Sequence, residues 1–382
     1  MTKSGFKYSD YSIDIFTSIN EADSDNKWSA FKTDFLTGSY LKVLEQSNPS
    51  DLQFRYLMIS NSHGETCGII YFQLLKFSGK NIHLKKSPFL SILVNLALGI
   101  CPFKLLICGN VFAVNFKPYC FHEEKISETD ITKIVEEYTK LEKSDAILLK
   151  DFGVNFSNNL LYSMGYQNYT ADLTMCMDVK HEWNSIDDYK HALTKKYRRR
   201  FEKITASAST LKREELTIST IVKYKETLFK LFKHVSAKQT MSMGLINKNY
   251  FEEFKAAFPE RFKVVGYFEG EELIAFCTYI DRNDLLEVHY IGMDYSMNEK
   301  YNLYFNILFD SLKLAISERK SQLELGRTAR EAKANLGSKA VYFNDYMKLN
   351  SSLAIKAADW LSQNFQKSMG EEWQKRNPFR KE

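Results

Sequence analysis

Apolar and polar positions alternate with a period of two over Leu52–Ser60 and again over Thr66–Phe77, separated by Asn61-Ser62-His63-Gly64. Alternation around a Gly-containing loop predicts a β-hairpin. Beyond it the pattern predicts a strand near Leu105–Val114 and then a helix opening at Ser127. Ser127-Glu128-Thr129-Asp130 reads as a capping-box-like start, an N-cap serine with an acid three residues on, and Ile131, Ile134, Val135 and Tyr138 recur at helical spacing. A short apolar strand at Ala146–Leu149, a helix at Asn158–Met164 ended by Gly165, and a strand near Asp172–Val179 complete the first half.

The second half repeats the tail of that order. Strands are predicted at Glu272–Ile280 and Leu285–Ile291 around an Asp281–Asp284 turn. A long helix follows from about Glu299 to Arg319, with Tyr301, Tyr304, Phe305, Leu308, Leu312 and Ile316 on one face. Then come a strand at Gln322–Leu325, a helix at Ala329–Leu336 ended by Gly337, and a strand at Ala340–Leu349. Both halves thus end on the order buried strand, short helix, glycine, outer strand, which implies duplication by pattern rather than by residue identity. Helices at Asp187–Lys203 and Val222–Val235 lie between, the first capped by Ser185 with Asp187 and Asp188 in its first turn. The expected organisation is two α/β (α+β) domains, 1–182 and 183–382.

Composition narrows the class. A chain of 382 residues suits two domains, and an apolar share of 44% rules out a disordered one. The 52 basic and 47 acidic residues leave a net charge of +5, so sign alone does not call for nucleic acid. The six cysteines show no CxxC pair and no His at ligand spacing, and are expected as free, mostly buried thiols. Met1–Asp10 lacks the apolar core of a signal peptide, so a reducing cytoplasm is the expected location. One segment complicates this. Residues 87–103 carry no charge and are flanked by Lys85, Lys86 and Lys104. A buried core helix, an interfacial or acyl-chain-lining helix and a membrane span all remain open for it. The interfacial reading would hold the chain peripherally at the inner face of the cell membrane.

Candidate chemistry concentrates in Glu324-Leu325-Gly326-Arg327-Thr328-Ala329-Arg330-Glu331-Ala332-Lys333. A strand ends at Gly326, and Thr328 is expected to cap a helix whose third residue is Glu331. That helix start would make an anion site, with Arg327 and Lys333 adding charge and Glu324 at the strand end. The plain alternative is a well-capped βα unit with surface cations. On the adjacent strand, period-two alternation sets Glu287, His289 and Ile291 on one face and Val288, Tyr290 and Gly292 on the other. His289 is a plausible base for an amine, because imidazole exchanges protons near neutral pH; a satisfied core histidine is its rival. Tyr290 and Tyr304 could protonate a leaving group. A basic cluster, Lys195, Lys196, Arg198, Arg199, Arg200 and Lys203, is expected to spread over several faces of its helix. It is open between a solvated face and contact with coenzyme A phosphates, an acidic carrier-protein helix, anionic lipid or RNA. No GxxxxGK[ST], GxGxxG or GxSxG motif is present, and no His, Cys and carboxylate set has metal spacing.

KKYRRRFEK, the strand pair, the long helix and ELGRTAREAKANLG together resemble the double-domain acyltransferases of the GNAT superfamily. Within these the chain resembles the Fem-type peptidoglycan aminoacyltransferases and the BioF2-like acetyltransferase group, and is similar to bacterial ceramide synthases. The resemblance implies tandem domains, each with a mixed, mostly antiparallel sheet flanked by helices. It also implies transfer of an acyl group from a thioester to a primary amine, a sphingoid-like or amino-lipid acceptor included. The donor would be acyl-CoA or an acyl carrier protein, used as co-substrate with no tightly bound cofactor. The alternatives are aminoacyl transfer from tRNA to a peptidoglycan precursor, and a non-catalytic binding module. Carried over by residue, Lys196 and Arg198 take the basic helix, while Glu324, Gly326, Arg327, Thr328 and Lys333 take the final motif. One departure stands out: GNAT enzymes hold pyrophosphate with a [QR]-x-x-G-x-[GA] loop, and here Asp294-Tyr295-Ser296-Met297-Asn298-Glu299 has two acids and no glycine.

Overall fold

The computed structural model describes residues 4–31, 33, 36–47, 52–77, 103–152, 158–169, 173–238, 245–351 and 371–380. The uncharged run 87–103 lies outside these residues except for Phe103, so its three readings are not addressed. No helix among the described residues is long and apolar enough to cross a membrane. The five cysteines among them are free thiols.

The chain forms two compact units. It begins in the first with β1 (Ser4–Tyr8), β2 (Tyr11–Phe16), β3 (Leu52–Ser60), β4 (Thr66–Phe77), β5 (Phe103–Cys108), β6 (Tyr119–Phe121), β7 (Ala146–Phe152) and β8 (Gln167–Tyr169). It then enters the second with β9 (Leu173–Asp178), β10 (Lys212–Glu215), β11 (Phe262–Glu269), β12 (Glu272–Arg282), β13 (Leu285–Met293), β14 (Gln322–Glu324) and β15 (Lys339–Tyr342), and returns with β16 (Asn344–Leu349). The first sheet runs β1-β2-β3-β4-β5-β7-β16-β8, with β6 on β4; the second runs β10-β11-β12-β13-β14-β9-β15. Pairing is antiparallel throughout except for β5 with β7 and β13 with β14.

A single boundary near residue 182 does not describe this division. Leu173–Asp178, expected in the first half, pairs with β14 and β15, while Asn344–Leu349 pairs with β7 and β8. Each half gives one strand to the other's sheet. The one strand expected over Ala340–Leu349 is therefore two, parted at Phe343, because its ends complete different sheets.

Of the helices, α1 (Ile19–Ala22), α2 (Gly38–Gln46), α3 (Glu128–Glu142) and α4 (Asn158–Ser163) belong to the first unit. Helix α3 starts as expected: the Asp130 N–H donates to Ser127 Oγ at 3.1 Å, and Ile131, Ile134, Val135 and Tyr138 are buried. The second unit holds α5 (Ile186–Ala192), α6 (Lys195–Ser207), α7 (Ile218–Lys223), α8 (Lys225–Ser236), α9 (Tyr250–Ala257), α10 (Tyr295–Tyr301), α11 (Leu303–Ser317) and α12 (Arg330–Ala334). The Ser185 and Asn184 amides both donate to Asp188 Oδ2, the expected acidic start of α5.

Two helices expected to be continuous are broken, each for a tertiary reason. Between α5 and α6, the segment near residues 378–380 pairs with the backbone: Thr194 N–H donates to Pro378 O at 2.9 Å and Arg380 N–H to Ala192 O at 3.1 Å. Between α10 and α11, Asn302 adopts a left-handed conformation, and the buried Asn306 amide donates to Tyr301 O at 2.8 Å and Ile204 O at 3.0 Å. The core of the second unit lies between the sheet and α5, α6 and α11, where Leu286, Val288, Leu323 and Met175 meet Phe201, Ile204, Leu308 and Leu312.

Candidate active site

The site begins where two parallel strands part. Strands β13 and β14 pair only at Leu285↔Gln322, Leu286↔Leu323 and Glu287↔Glu324. Beyond Glu324 the chain turns at Gly326 (φ +79°) and bonds to β9 instead, Leu325 N–H to Met175 O at 2.8 Å and Met175 N–H to Gly326 O at 3.1 Å. The rest of β13 runs on beside β12 alone, which leaves a wedge between the strand ends.

A bulge then re-aims β13. Cys277 pairs with Ile291 but Tyr279 pairs with Val288, so His289 and Tyr290 together oppose Thr278. The Tyr290 N–H donates to Thr278 Oγ1 at 2.8 Å. Strict alternation had set Tyr290 on the face opposite His289. The bulge instead brings both rings to Tyr250, with centroids 5.9 and 5.7 Å away.

The residues on this wedge are charged and buried. Glu287 and Glu324 sit side by side by register, and each is only 2% exposed. Glu287 Oε1 lies 3.0 Å from His289 Nδ1, and Tyr250 Oη lies 2.6 Å from His289 Nε2. One consistent assignment has His289 donating from Nδ1 to Glu287 and accepting the Tyr250 hydroxyl at Nε2. Arg282 Nη1 stands 3.5 Å from Glu287 Oε2. Glu324 Oε1 has no hydrogen-bond partner among the described residues. Burial first, then the Glu287 charge, pushes the Glu324 carboxyl up to about 7, against the opposing pull of Thr174, Arg282 and Arg327.

Lys333 is also 2% exposed, and its Nζ donates to Gly326 O at 3.0 Å. Burial brings its ammonium down to about 7, with Glu324 opposing that shift and Arg330 adding to it. A carboxylic acid and an amine that both exchange protons near neutrality are what proton transfer requires. Cys176, paired with Glu324 across β9, has its thiol pushed up to about 12 by burial and by the Glu324, Asp178 and Glu287 charges, so it is a packing group rather than a nucleophile. Burial likewise raises the Tyr290 and Tyr304 phenols, which keeps them protonated.

Of the residues expected from sequence, Glu324, His289, Tyr290, Arg327 and Lys333 converge here. Thr328 does not act as expected. It is exposed, and the residue before α12 is Ala329 at φ +51°, with no side-chain cap. Glu331 pairs with Arg376 at 2.5 Å rather than reaching back. The capping box and its anion site are therefore absent: two left-handed residues, Gly326 and Ala329, bend the chain out of N-cap geometry, and α12 has five residues. Lys196, Arg198 and Tyr304 stand apart, on helices that pack against the other face of the sheet. Arg198 donates to His191 O and Leu193 O, closing the break before α6. The Tyr304 backbone N–H donates to Asn298 Oδ1 at 3.0 Å.

Tyr250, Glu287 and Arg282 were missed as site residues. Glu287 and His289, two apart on one strand, carried a signal. Tyr250 did not, because only the tertiary fold brings α9 to β13.

The loop after β13 does not fit a pyrophosphate cradle. Asp294 itself accepts the Ser296 N–H at 2.9 Å and the Ser296 hydroxyl at 2.8 Å, and these bonds lower its carboxyl pKa. A negative charge already occupies the amide that such a cradle would offer.

No protein-family model matches the sequence, and no curated protein is similar to it in sequence. Solved structures do match. The crystal structure of FemX superposes with a TM-score of 0.50 at 10% identity, over 92% of this chain and 99% of that one. The C-terminal domain of a putative lysylphosphatidylglycerol synthetase from Agrobacterium fabrum does so with a TM-score of 0.50 at 10% identity, over 90% and 95%. A tandem GNAT protein from the clavulanic acid biosynthesis pathway gives 0.48 at 9% identity, over 89% and 99%. The fold is therefore like that of FemX and of that synthetase domain.

Proposed function

We propose that the chain is an N-acyltransferase that moves an acyl group from a thioester donor to a primary amine, an amino-lipid or sphingoid-like amine among the acceptors. The observation that carries this reading is the wedge between β13 and β14, with the Glu287–Glu324 pair and the Tyr250–His289–Glu287 chain on it. In this mechanism the ammonium of the acceptor first gives up a proton, and Glu324, ionised above about 7, is the group placed to take it. The amine nitrogen then attacks the thioester carbonyl, and the Arg327 guanidinium offsets the charge that grows on its oxygen. As the C–S bond breaks, Tyr290, the protonated group beside the wedge, donates to the departing sulfur and regains the second proton, which the nitrogen sheds on becoming an amide. The products are an amide and a thiol, and no covalent enzyme intermediate is required.

The test is direct transfer by the purified chain, with long-chain acyl thioesters and a panel of primary amines followed by mass spectrometry. Glu324→Gln is expected to lower turnover by about 10²–10⁴-fold, the range for loss of a general base, while leaving the fold unchanged. If no amine gains an acyl group, or if Glu324→Gln turns over like the parent chain, the reading is wrong.

A second reading draws on the likeness to FemX and on the missing pyrophosphate cradle: the donor is an aminoacyl-tRNA. Ribonuclease-sensitive labelling of a muropeptide precursor would select it over the first.

A further inference from the structure

Helix α6 has a single-signed face. At 100° per residue, Lys195, Arg199, Lys203, Lys196 and Arg200 fall within an arc of about 140°. All five are exposed. The sequence-based expectation of cations on several faces holds only for Arg198, which is spent on backbone carbonyls. The opposite face of α6 is Phe201, Ile204 and the half-buried Tyr197, packed into the core. On the exposed arc the charges form two rows, Lys195/Arg199/Lys203 and Lys196/Arg200, each with a step of about 6 Å along the axis.

This face adjoins the helices that leave β13. Asn302 Nδ2 donates to Ser207 Oγ at 3.1 Å, Asn306 Nδ2 to Ile204 O at 3.0 Å, and the Arg200 guanidinium lies 4.7 Å over the Phe305 ring. Along the same edge, helix-start amides are already taken by the chain's own side chains: Ser296 N–H by Asp294 and Tyr304 N–H by Asn298. A donor that arrives here cannot rely on those amides to hold a diphosphate, and the cationic face is what remains to attract it.

We propose that the cationic face of α6 docks an acidic helix of a carrier protein that bears the acyl thioester. This rests on the acyltransferase reading and names its donor. Carboxylates at i and i+4 on a facing helix repeat at the spacing of the two rows, so several pairs form without bending either partner. An RNA partner fits less well, because RNA binders usually stack bases on exposed aromatics, and the aromatics of α6 point inward. A lipid surface fits less well too, since interfacial helices carry an apolar stripe towards the membrane and that stripe of α6 is in the core.

The experiment measures binding of the full chain to acyl carrier protein carrying a non-hydrolysable long-chain acyl analogue, to an RNA hairpin, and to anionic phosphatidylglycerol vesicles. Binding of the carrier protein is expected. It should weaken at least about tenfold between roughly 50 and 300 mM salt, and similarly in the Lys195→Glu, Arg199→Glu, Lys203→Glu triple variant, whose folding is checked by thermal melting. Carrier binding that ignores salt and the triple variant overturns the proposal, as does binding of RNA or vesicles with none of the carrier. Because binding is read apart from turnover, the two proposals fail separately. Transfer from a coenzyme A thioester without carrier binding removes the docking face and keeps the enzyme. Salt-sensitive carrier binding with no transfer to any amine keeps the docking face and removes the enzyme.

Discussion

The two units build the same strand junction and fill it differently. In the first, β5 and β7 pair in parallel from Leu105↔Ala146 to Cys108↔Leu149; in the second, β13 and β14 pair from Leu285↔Gln322 to Glu287↔Glu324. Aligned by register, the places of Glu287 and Glu324 are held in the first unit by Ile107 and Leu148, and the place of His289 by Gly109. The first junction is then closed by its own loop. Lys150 Nζ donates to Ala113 O at 3.1 Å and pairs with Asp151, and Asp151 Oδ2 accepts the Phe116 N–H at 3.1 Å. Phe112, Ala113 and Phe116 of that loop are buried, and a Cβ on Gly109 would come within 2.7 Å of Lys150 Cβ. One frame is sealed with an ion pair that completes a core; the other keeps two buried carboxyl groups side by side, of which Glu324 is pushed up to about 7. Chemistry resides in which side chains face the gap, not in the gap.

That contrast can be broken by substitution. Asp151→Ala leaves Lys150 buried without its carboxylate and should cost about 3–5 kcal/mol, read by denaturant unfolding. Glu324→Gln, by contrast, should leave stability at pH 8 unchanged or higher, because burial already disfavours its charge. If both substitutions destabilise equally, the second junction is as structural as the first.

A smaller effect is expected at Tyr250→Phe. It removes the hydroxyl on His289 and should cost about 1–2 kcal/mol as well as lowering transfer. A stable variant with unchanged turnover would separate the Tyr250–His289–Glu287 chain from catalysis.

Smaller still is the pH dependence, which carries the sign of each shift. The Glu324 carboxyl is raised, so the folded chain holds an extra proton between the ordinary carboxylate range and about 7, and stability should fall as pH rises through that window. The Lys333 ammonium is lowered to about 7, so the unfolded chain holds the extra proton above that point, and stability should rise from there towards the ordinary lysine range. The wild-type profile should therefore dip near pH 7. Glu324→Gln should lose the acid-side slope, and Lys333→Met the alkaline-side slope.

Much of the frame was legible because it is local. The β3–β4 hairpin spans the strands that alternation marked, and α3 starts at the serine whose hydroxyl the sequence offered. Gly337, expected at a helix end, sits at φ +103°, and a Cβ there would meet the Phe379 ring at 2.3 Å. The site was half legible. Glu324, His289 and Lys333 could be named from their motif and strand, yet the capping box at Thr328 failed because a turn built from Gly326 and Ala329 overrode a local preference.

Hydrophobic period, capping residues and turn glycines act over a few neighbouring residues, so the chain alone marked the β3–β4 and β12–β13 hairpins, the strands of both parallel junctions and most of the helices, while β1, β2, β6, β8, β10 and β11 went unread. Which sheet Leu173–Asp178 and Asn344–Leu349 would join, where α5/α6 and α10/α11 would break, and how the bulge at His289–Tyr290 would turn two rings to one side depended on partners far away in sequence. The same holds for the ionisation of Glu324 and Lys333. A carboxyl and an ammonium depart from their ordinary behaviour only when packing strips them of water and sets other charges beside them, and those neighbours come from three separate stretches of the chain, 174–176, 282–287 and 324–330.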